Sequence, residues 1–189
     1  AVAYEDWIAN ADGDFAWRSF DENTAAGMCY TSGTTGNPKG VLYSHRSNVL
    51  HSMAMCAPDA LGLASRSVIL PVVPLFHANS WSIAFSAPMT GAKLVMPGPK
   101  LDGASVYELL ESEQVSCTAG VPTVWAMLLQ YLQNENRRLS SLKRLVVGGA
   151  AAPRSMIEAF ERQGIEVFHA WGMTEMSPVG TIGSVKHAA

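Results

Sequence analysis

The sequence predicts an α/β fold in which helices flank a largely parallel sheet. Short apolar stretches alternate along the chain with longer amphipathic stretches, and glycine or proline separates many of them. Strands that alternate with helices are joined by crossover connections, which make the strands parallel and cover both faces of the sheet. The 189 residues are 48% hydrophobic, which supplies enough apolar surface for one sizeable core.

The predicted strands are apolar stretches that end at turn residues. Residues 1–24 are expected to form an irregular lead-in with a helical turn at 4–9, and the α/β subdomain occupies residues 25–189. The strands are predicted at 26–31, 68–73, 92–96, 115–119, 145–147 and 165–168. Gly91 and Pro97 bound the third strand, and Gly148 follows the fifth. Their order in the sheet does not follow from the sequence.

Capping residues and prolines predict where the helices begin. Ser44 and Asp102 are suited to accept hydrogen bonds from the first turns of two helices. Pro122 falls in the first turn of a third helix, where its missing N–H costs nothing. Pro153 opens the last helix, which is expected to stop at Gly164.

One uncharged stretch, residues 67–92, is long enough to cross a membrane on length alone. Pro71, Pro74 and Pro88 interrupt it, and polar residues lie inside it. A strand, a turn and a short buried helix therefore account for it better, and we expect no integral membrane span.

Charge and cysteine content restrict the classes of function. The formal net charge is −3 and the pI is near 5.9, so nucleic-acid binding has no electrostatic support. Cys29, Cys56 and Cys117 are widely spaced and odd in number. They are expected to be unpaired apolar residues in a reducing compartment, which predicts a cytoplasmic protein.

The most informative motif is Tyr-Thr-Ser-Gly-Thr-Thr-Gly-Asn-Pro-Lys-Gly-Val at residues 30–41. Glycines let the backbone approach a ligand, hydroxyls and backbone N–H groups bind anionic oxygens, and Lys39 adds a positive charge. This combination suits a polyphosphate. The common P-loop is excluded because Lys39 lies between Pro38 and Gly40. A surface turn without a ligand is the alternative.

Two later motifs follow predicted strands. Residues 147–153 are small, so a flat ring could lie against their backbone at the start of a helix, although a tightly packed turn would explain them too. In residues 171–175, Thr174 precedes Glu175, and this pair suits a phosphate oxygen and Mg²⁺. Taken alone, the pair is also an ordinary helix start.

A third motif, residues 74–81, places His77 and Trp81 among apolar residues. A histidine in such a setting is more often a hydrogen-bonded core residue than a catalyst, and Trp81 could equally be a core tryptophan. The loop at 118–125 contains no charge, which fits an apolar substrate.

Taken in this order, the motifs resemble those of the adenylate-forming superfamily, which includes acyl-CoA synthetases, luciferases and peptide-synthetase adenylation domains. The resemblance covers about residues 25–179. The segments His-Ala-Asn-Ser-Trp at 77–81 and Gly-Val-Pro-Thr-Val-Trp at 120–125 look most like bacterial medium- and long-chain fatty-acyl-CoA ligases. The implied function is activation of a fatty acid or related carboxylic acid as acyl-AMP, with ATP and Mg²⁺, followed by transfer to CoA as co-substrate.

The resemblance also implies roles for individual residues. Lys39, Thr174, Glu175 and His77 would be catalytic, and Thr31 and Glu175 would contact the metal or its phosphates. The nucleotide would contact Thr31, Ser32, Gly33, Thr34, Thr35, Gly36, Lys39, Gly149, Ala150, Ala151, His169, Ala170, Trp171, Gly172 and Thr174. The acyl group would contact His77, Trp81, Gly120, Val121, Pro122 and Thr123. Trp171 stands where the family commonly has tyrosine, which we expect to alter stacking and not chemistry.

Members of this superfamily extend beyond the span of this sequence. They carry a preceding subdomain and, after it, a ribose-binding aspartate, a hinge and a small domain with a catalytic lysine. We therefore expect this chain to be a fragment with little or no activity of its own. Apolar surface that the absent parts would cover favours association, so a homodimer is a hypothesis.

Two alternatives remain open at this point. The first is another adenylating ligase that acts on an aromatic or sulfur-containing short acid. The second is a non-catalytic nucleotide-binding module, which the intact Lys39, Thr174 and Glu175 disfavour.

Overall fold

The computed structural model describes residues 2–32 and 36–184 and contains two sheets with helices around them. The helices are α1 Tyr4–Ile8, α2 His45–Cys56, α3 Ala78–Trp81, α4 Ile83–Thr90, α5 Gly103–Ser112, α6 Pro122–Asn134 and α7 Arg154–Glu161. The strands are β1 Ala25–Thr31, β2 Lys39–Ser44, β3 Val68–Pro71, β4 Lys93–Leu94, β5 Cys117–Gly120, β6 Arg144–Val147, β7 Glu166–Gly172 and β8 Val179–Ser184. A 3₁₀ turn occupies Thr174–Met176.

The larger sheet has the strand order β4-β3-β5-β6-β7-β8. Its strands β4, β3, β5, β6 and β7 run parallel, and β8 runs antiparallel to β7 along the edge. The predicted fold class, a largely parallel sheet flanked by helices, is confirmed. Strand β8 was not among the predicted strands, because its glycines at 180 and 183 weaken the apolar signal of a strand.

The glycine motif lies outside this parallel sheet. Strand β1 pairs antiparallel with β2 in a separate hairpin, in which Thr31 lies opposite Lys39. The expectation that strand 26–31 belongs to the parallel sheet is therefore wrong. Only seven residues separate Thr31 from Lys39, which is too few for the helical crossover that parallel pairing needs.

The two faces of the larger sheet carry different helices. Helices α5, α6 and α7 bury residues such as Val106, Trp125 and Phe160 against one face. Helices α2 and α4 contribute Met55 and Ile83 to the core on the opposite face. Since β4 lies on one side of β3 and β5 on the other, the winding direction reverses at β3. A crevice is expected at the carboxyl ends of the strands where this reversal occurs.

The predicted helix starts are confirmed by their caps. Ser44 accepts a hydrogen bond from the Ser47 backbone N–H at 3.1 Å and completes a capping box before α2. Asp102 accepts one from the Ser105 backbone N–H at 3.0 Å before α5. Pro122 occupies the first position of α6.

The uncharged stretch 67–92 folds into β3, α3 and α4. Among the helices that the structure describes, none has the length and apolar character needed to cross a membrane.

Arg144 ties the start of β6 to two other segments. Its Nε and Nη2 donate to Glu166 Oε2 at 3.1 and 2.7 Å, and Nη1 donates to the carbonyls of Pro58 and Ala60 at 2.8 and 2.9 Å. Its guanidinium also lies 4.5 Å from the centroid of the Phe168 ring. One side chain thus satisfies a carboxylate and two carbonyls, which predicts a measurable contribution to stability.

We predict that Arg144→Met lowers the free energy of unfolding by about 2 kcal/mol, because the two carbonyls and the carboxylate lose a charged donor. Urea unfolding followed by circular dichroism measures the effect. The matched control is Arg154→Met, since the Arg154–Glu158 pair within α7 lies on the surface and is expected to contribute about 0.5 kcal/mol or less. Equal losses in the two variants would contradict this role of Arg144.

Candidate active site

A cleft of about 490 Å³ lies at the carboxyl edge of the parallel sheet, where it meets the β1–β2 hairpin. Its volume is within the range of small-molecule sites. Eleven of the residues that line it were assigned from the sequence: Thr31, Ser32, Lys39, His77, Trp81, Gly149, Ala170, Trp171, Gly172, Thr174 and Glu175. Five lining residues were not: Ala78, Gly148, Met173, Pro178 and Val179.

The remaining assigned residues are absent from the cleft wall or fall outside the described part of the chain. Gly33, Thr34 and Thr35 fall outside the described residues. The cleft wall does not include Gly36, Ala150, Ala151, His169, Gly120, Val121, Pro122 or Thr123. Val121 lies near the wall, since a Cβ at Gly149 would be 3.2 Å from its Cγ1, and His169 Nε2 lies 3.4 Å from the carbonyl of Ala150, the residue after Gly149.

Bare backbone and an indole ring form the floor of the cleft. A Cβ at Gly148 would lie 2.8 Å from Cη2 of Trp81 and 3.2 Å from the Ala170 carbonyl oxygen, so no side chain fits there. Gly149 has φ +79°, which disfavours other residues. Trp81 is 7% exposed and still lines the cleft, so it is both a core residue and a wall of the site.

His77 and Trp81 are held at the cleft by an unusual backbone segment. Residues 78–82 all have positive φ, between 46° and 62°, although none is glycine. The Ser80 hydroxyl, which is fully buried, donates to the Val73 carbonyl at 2.5 Å and anchors the segment to the chain two residues after β3. Such left-handed residues are each disfavoured by about 1–2 kcal/mol. Strain of this kind concentrates at functional sites.

The hairpin supplies the positive charge of the cleft. Thr31 and Lys39 are paired across β1 and β2 at the two ends of the glycine loop, and both line the cleft. Lys39 is exposed, and in the part of the chain that the structure describes no carboxylate forms an ion pair with it. Its ammonium group is thus available to an anion.

The acidic turn lies on the other side of the cleft. Thr174 and Glu175 follow β7 in the 3₁₀ turn, and both line the cleft. Within residues 2–32 and 36–184, no group of three or more His, Cys, Asp or Glu side chains could hold a metal ion alone. The single carboxylate of Glu175 fits Mg²⁺, which is commonly bound by one or two carboxylates together with substrate phosphates and water.

Two residues that support this turn were not assigned from the sequence. The Tyr43 hydroxyl donates to the Thr174 carbonyl at 2.6 Å, and His51 Nε2 accepts from the Val179 backbone N–H at 3.0 Å. Burial, with contributions from Cys29 and Glu175, raises the pKa of Tyr43 to about 12, so it stays a donor. Burial lowers the pKa of His51, which keeps the imidazole neutral and able to accept.

The chain belongs to the AMP-binding enzyme family, whose model matches residues 4–188. It is 58% identical over 181 residues to a medium-chain-fatty-acid–CoA ligase from Ectopseudomonas oleovorans, with 95% of this chain and 33% of that ligase covered. It is 51% identical over 179 residues to a 3-methylmercaptopropionyl-CoA ligase from Ruegeria lacuscaerulensis, with 94% and 33% covered. The chain thus spans about a third of the length of the curated relatives it matches.

A solved structure shares this fold. The chain superimposes on o-succinylbenzoate coenzyme A synthetase from Bacillus subtilis, solved in complex with ATP and magnesium ion, with a TM-score of 0.76 and 28% identity. The match covers 87% of this chain and 33% of that chain. The family predicted from the motifs is confirmed by these comparisons.

We predict that Gly148→Ala destabilises the protein by about 1–3 kcal/mol, because the added methyl group forces Trp81 out of its position. Tryptophan fluorescence and urea unfolding measure the displacement and the loss. The control is Gly98→Ala, where a Cβ would meet no atom within 4 Å. An unchanged spectrum and stability for Gly148→Ala would show that the indole does not pack on this backbone.

We predict that His51 makes stability depend on pH. In the unfolded chain, His51 takes up a proton near pH 6.5. In the folded chain it is protonated only at lower pH, because burial lowers its pKa. The stability that comes from neutral His51 is therefore fully present above pH 6.5. It is lost as the pH falls toward the pKa of His51 in the folded chain, by at most about 1.4 kcal/mol per pH unit.

Unfolding free energies at pH 7.5 and 5.5 test this for His51→Gln, which keeps an acceptor that does not titrate in this range. The variant should lose less stability on acidification than the unsubstituted protein, and the control His169→Gln, at an exposed position, should behave like the unsubstituted protein. The same pH dependence in all three proteins would refute the prediction.

Proposed function

We propose that this chain is the nucleotide- and acyl-binding part of an AMP-forming fatty-acyl-CoA ligase. One observation carries the proposal: a single cleft gathers Lys39, Thr174 and Glu175 with His77 and Trp81. The first three suit a polyphosphate and its metal, and the last two suit a carboxylate with an apolar tail. The identity to a medium-chain-fatty-acid–CoA ligase supports a fatty acid as the substrate.

The proposed reaction has two steps. In the first, a carboxylate oxygen of the acid attacks the α-phosphorus of ATP, a new P–O bond forms, and pyrophosphate leaves with the electrons of the broken bond. In the second, the CoA thiol attacks the acyl carbonyl, loses its proton, and AMP leaves. Both steps redistribute charge on phosphate oxygens, so fixed positive groups and hydrogen-bond donors lower the barrier.

Residues of this chain have distinct parts in the first step. Lys39 binds the β- and γ-phosphates, which become the leaving group, and the Thr174 hydroxyl donates to the α-phosphate. Glu175 would hold Mg²⁺, and the bound ion would supply positive charge against the phosphates. Thr31 lines the cleft from the hairpin and would contact the metal-bound phosphates.

The bare backbone at Gly148 and Gly149 suits the flat adenine ring. Trp81 already packs where a Cβ at Gly148 would lie, so the adenine ring would approach the backbone beside the indole, where neither glycine adds a side chain. Ala170 and Trp171 at the end of β7 line the same side of the cleft. His77, at the start of the strained segment, orients the carboxylate, and the uncharged loop at 120–123 borders the acyl tail.

A second substrate class is favoured by one observation. The chain is also 51% identical to a 3-methylmercaptopropionyl-CoA ligase. A short sulfur-containing acid is therefore the second candidate, with the same adenylating chemistry.

Three unpaired cysteines, at 29, 56 and 117, fit a reducing compartment for either activity and support a cytoplasmic location.

We predict that the chain binds Mg·ATP and that Lys39→Ala weakens this binding about tenfold or more, because a charged hydrogen bond to phosphate is lost. Titration calorimetry measures the affinity. Glu175→Gln should weaken binding in the presence of Mg²⁺ and leave binding in EDTA nearly unchanged. Lys100→Ala, an exposed lysine away from the cleft, is the control. Equal binding by all variants would place the nucleotide elsewhere.

The choice of acid is tested in a chimera in which this chain replaces the matching stretch of the Ectopseudomonas ligase. Acid-dependent pyrophosphate release should favour octanoate over 3-methylmercaptopropionate by about tenfold or more in kcat/KM, since the longer chain buries more methylene groups. Lys39→Ala in the same chimera controls for background release. The opposite preference would select the second candidate, and no release with any acid would contradict the ligase proposal.

A further inference from the structure

The acidic turn depends on other elements for its position. Residues 174–176 form a single 3₁₀ turn without a buried residue. Its local hydrogen bonds are short in range: Met176 N–H donates to the Met173 carbonyl at 2.9 Å and Ser177 N–H to the Thr174 carbonyl at 3.4 Å. A turn this short does not fix its own direction. Its placement at the cleft therefore requires contacts from outside.

Tyr43 provides one such contact from the hairpin. Its side chain is 3% exposed, and its hydroxyl donates to the Thr174 carbonyl at 2.6 Å. The acceptor is a backbone atom, so the bond fixes the position of the turn itself and not only that of one side chain. Tyr43 lies on β2, the strand that begins with Lys39. The same strand thus carries the cation of the site and a donor that holds the acidic turn.

Two further side chains hold the following residues of the chain. The Ser82 hydroxyl donates to the Ser177 carbonyl at 3.1 Å, and His51 Nε2 accepts from Val179 N–H at 3.0 Å. Ser82 ends the segment of positive φ that carries Trp81, and His51 lies on α2. Residues 174–179 are consequently tied at three backbone atoms to three different elements.

We propose that Tyr43 is a positioning residue that fixes the distance between Lys39 and the Thr174–Glu175 turn. His51 and Ser82 complete this support on the far side of the turn. The proposal rests on the proposed function, because the turn and Lys39 are assigned to the metal-bound phosphates. Tyr43 is not part of the cleft wall and acts through the backbone of Thr174.

Tyr43→Phe tests the proposal, since it removes one hydroxyl and keeps the ring that packs in the core. The control is Tyr107→Phe, which removes a hydroxyl from a partly buried ring that packs on Tyr131 between α5 and α6. The first measurement, which needs no nucleotide, is hydrogen–deuterium exchange of the peptide 172–180. Exchange there should be about fivefold faster in Tyr43→Phe, with other peptides unchanged, as expected for loss of one hydrogen bond.

The second measurement is the affinity for ATP with Mg²⁺ and with EDTA. Mg²⁺ should raise the affinity for ATP about fivefold less in Tyr43→Phe than in the unsubstituted protein. The affinity in EDTA should stay unchanged, because Lys39 itself is intact. A general loss of structure would instead lower both affinities and speed exchange in every peptide, which would overturn the positioning role.

The outcomes separate the two proposals. Unchanged exchange in 172–180 overturns the role of Tyr43 whether or not the chain binds ATP. Faster local exchange with an unchanged effect of Mg²⁺ also overturns it, because the turn would then move without consequence for the metal. If the unsubstituted chain binds no Mg·ATP, the proposed function fails for this chain, and the exchange result still decides whether Tyr43 fixes the turn.

Discussion

The cleft lies between two sheets, and its geometry depends on the side chains that join them. The hairpin of β1 and β2 forms its own sheet, whereas the acidic turn and the glycine floor belong to the six-stranded sheet. Tyr43 crosses from the hairpin to Thr174, and the Cys29 thiol of the hairpin donates to Asn79 Oδ1 of α3 at 3.6 Å. A cation on one sheet can thereby face a carboxylate on the other at a fixed separation, as binding of a metal-bound polyphosphate requires.

The left-handed segment at 78–82 shows that the fold accepts local strain to shape the site. Five non-glycine residues there have positive φ, and most are buried. Hydrogen bonds from Ser80 and Ser82 to the Val73 and Ser177 carbonyls, together with the burial of Trp81, offset this cost. These two bonds tie the segment that carries Trp81 to the chain after β3 and to the residue after the acidic turn.

Local patterns in the sequence predicted the parallel sheet, the helix caps and the main charged groups of the site. Lys39, Thr174 and Glu175 were identified because each lies in a compact motif, and the structure brings them to one cleft. Tyr43 and His51 were missed because their partners are 131 and 128 positions away, and no local pattern reports such a pairing. The left-handed segment was missed for a different reason, since it contains none of the glycines that usually indicate positive φ.

The most direct test of this account is a crystal structure of the chain with Mg²⁺ and a non-hydrolysable ATP analogue. We expect the adenine ring against Gly148 and Gly149, the polyphosphate between Lys39 and Thr174, and the metal ion on Glu175. A nucleotide bound elsewhere, for example in the smaller cavity of about 200 Å³ between α2 and α4, would contradict the assignment of the cleft. A nucleotide in the cleft whose phosphates contact neither Lys39 nor the acidic turn would contradict the proposed roles of these residues.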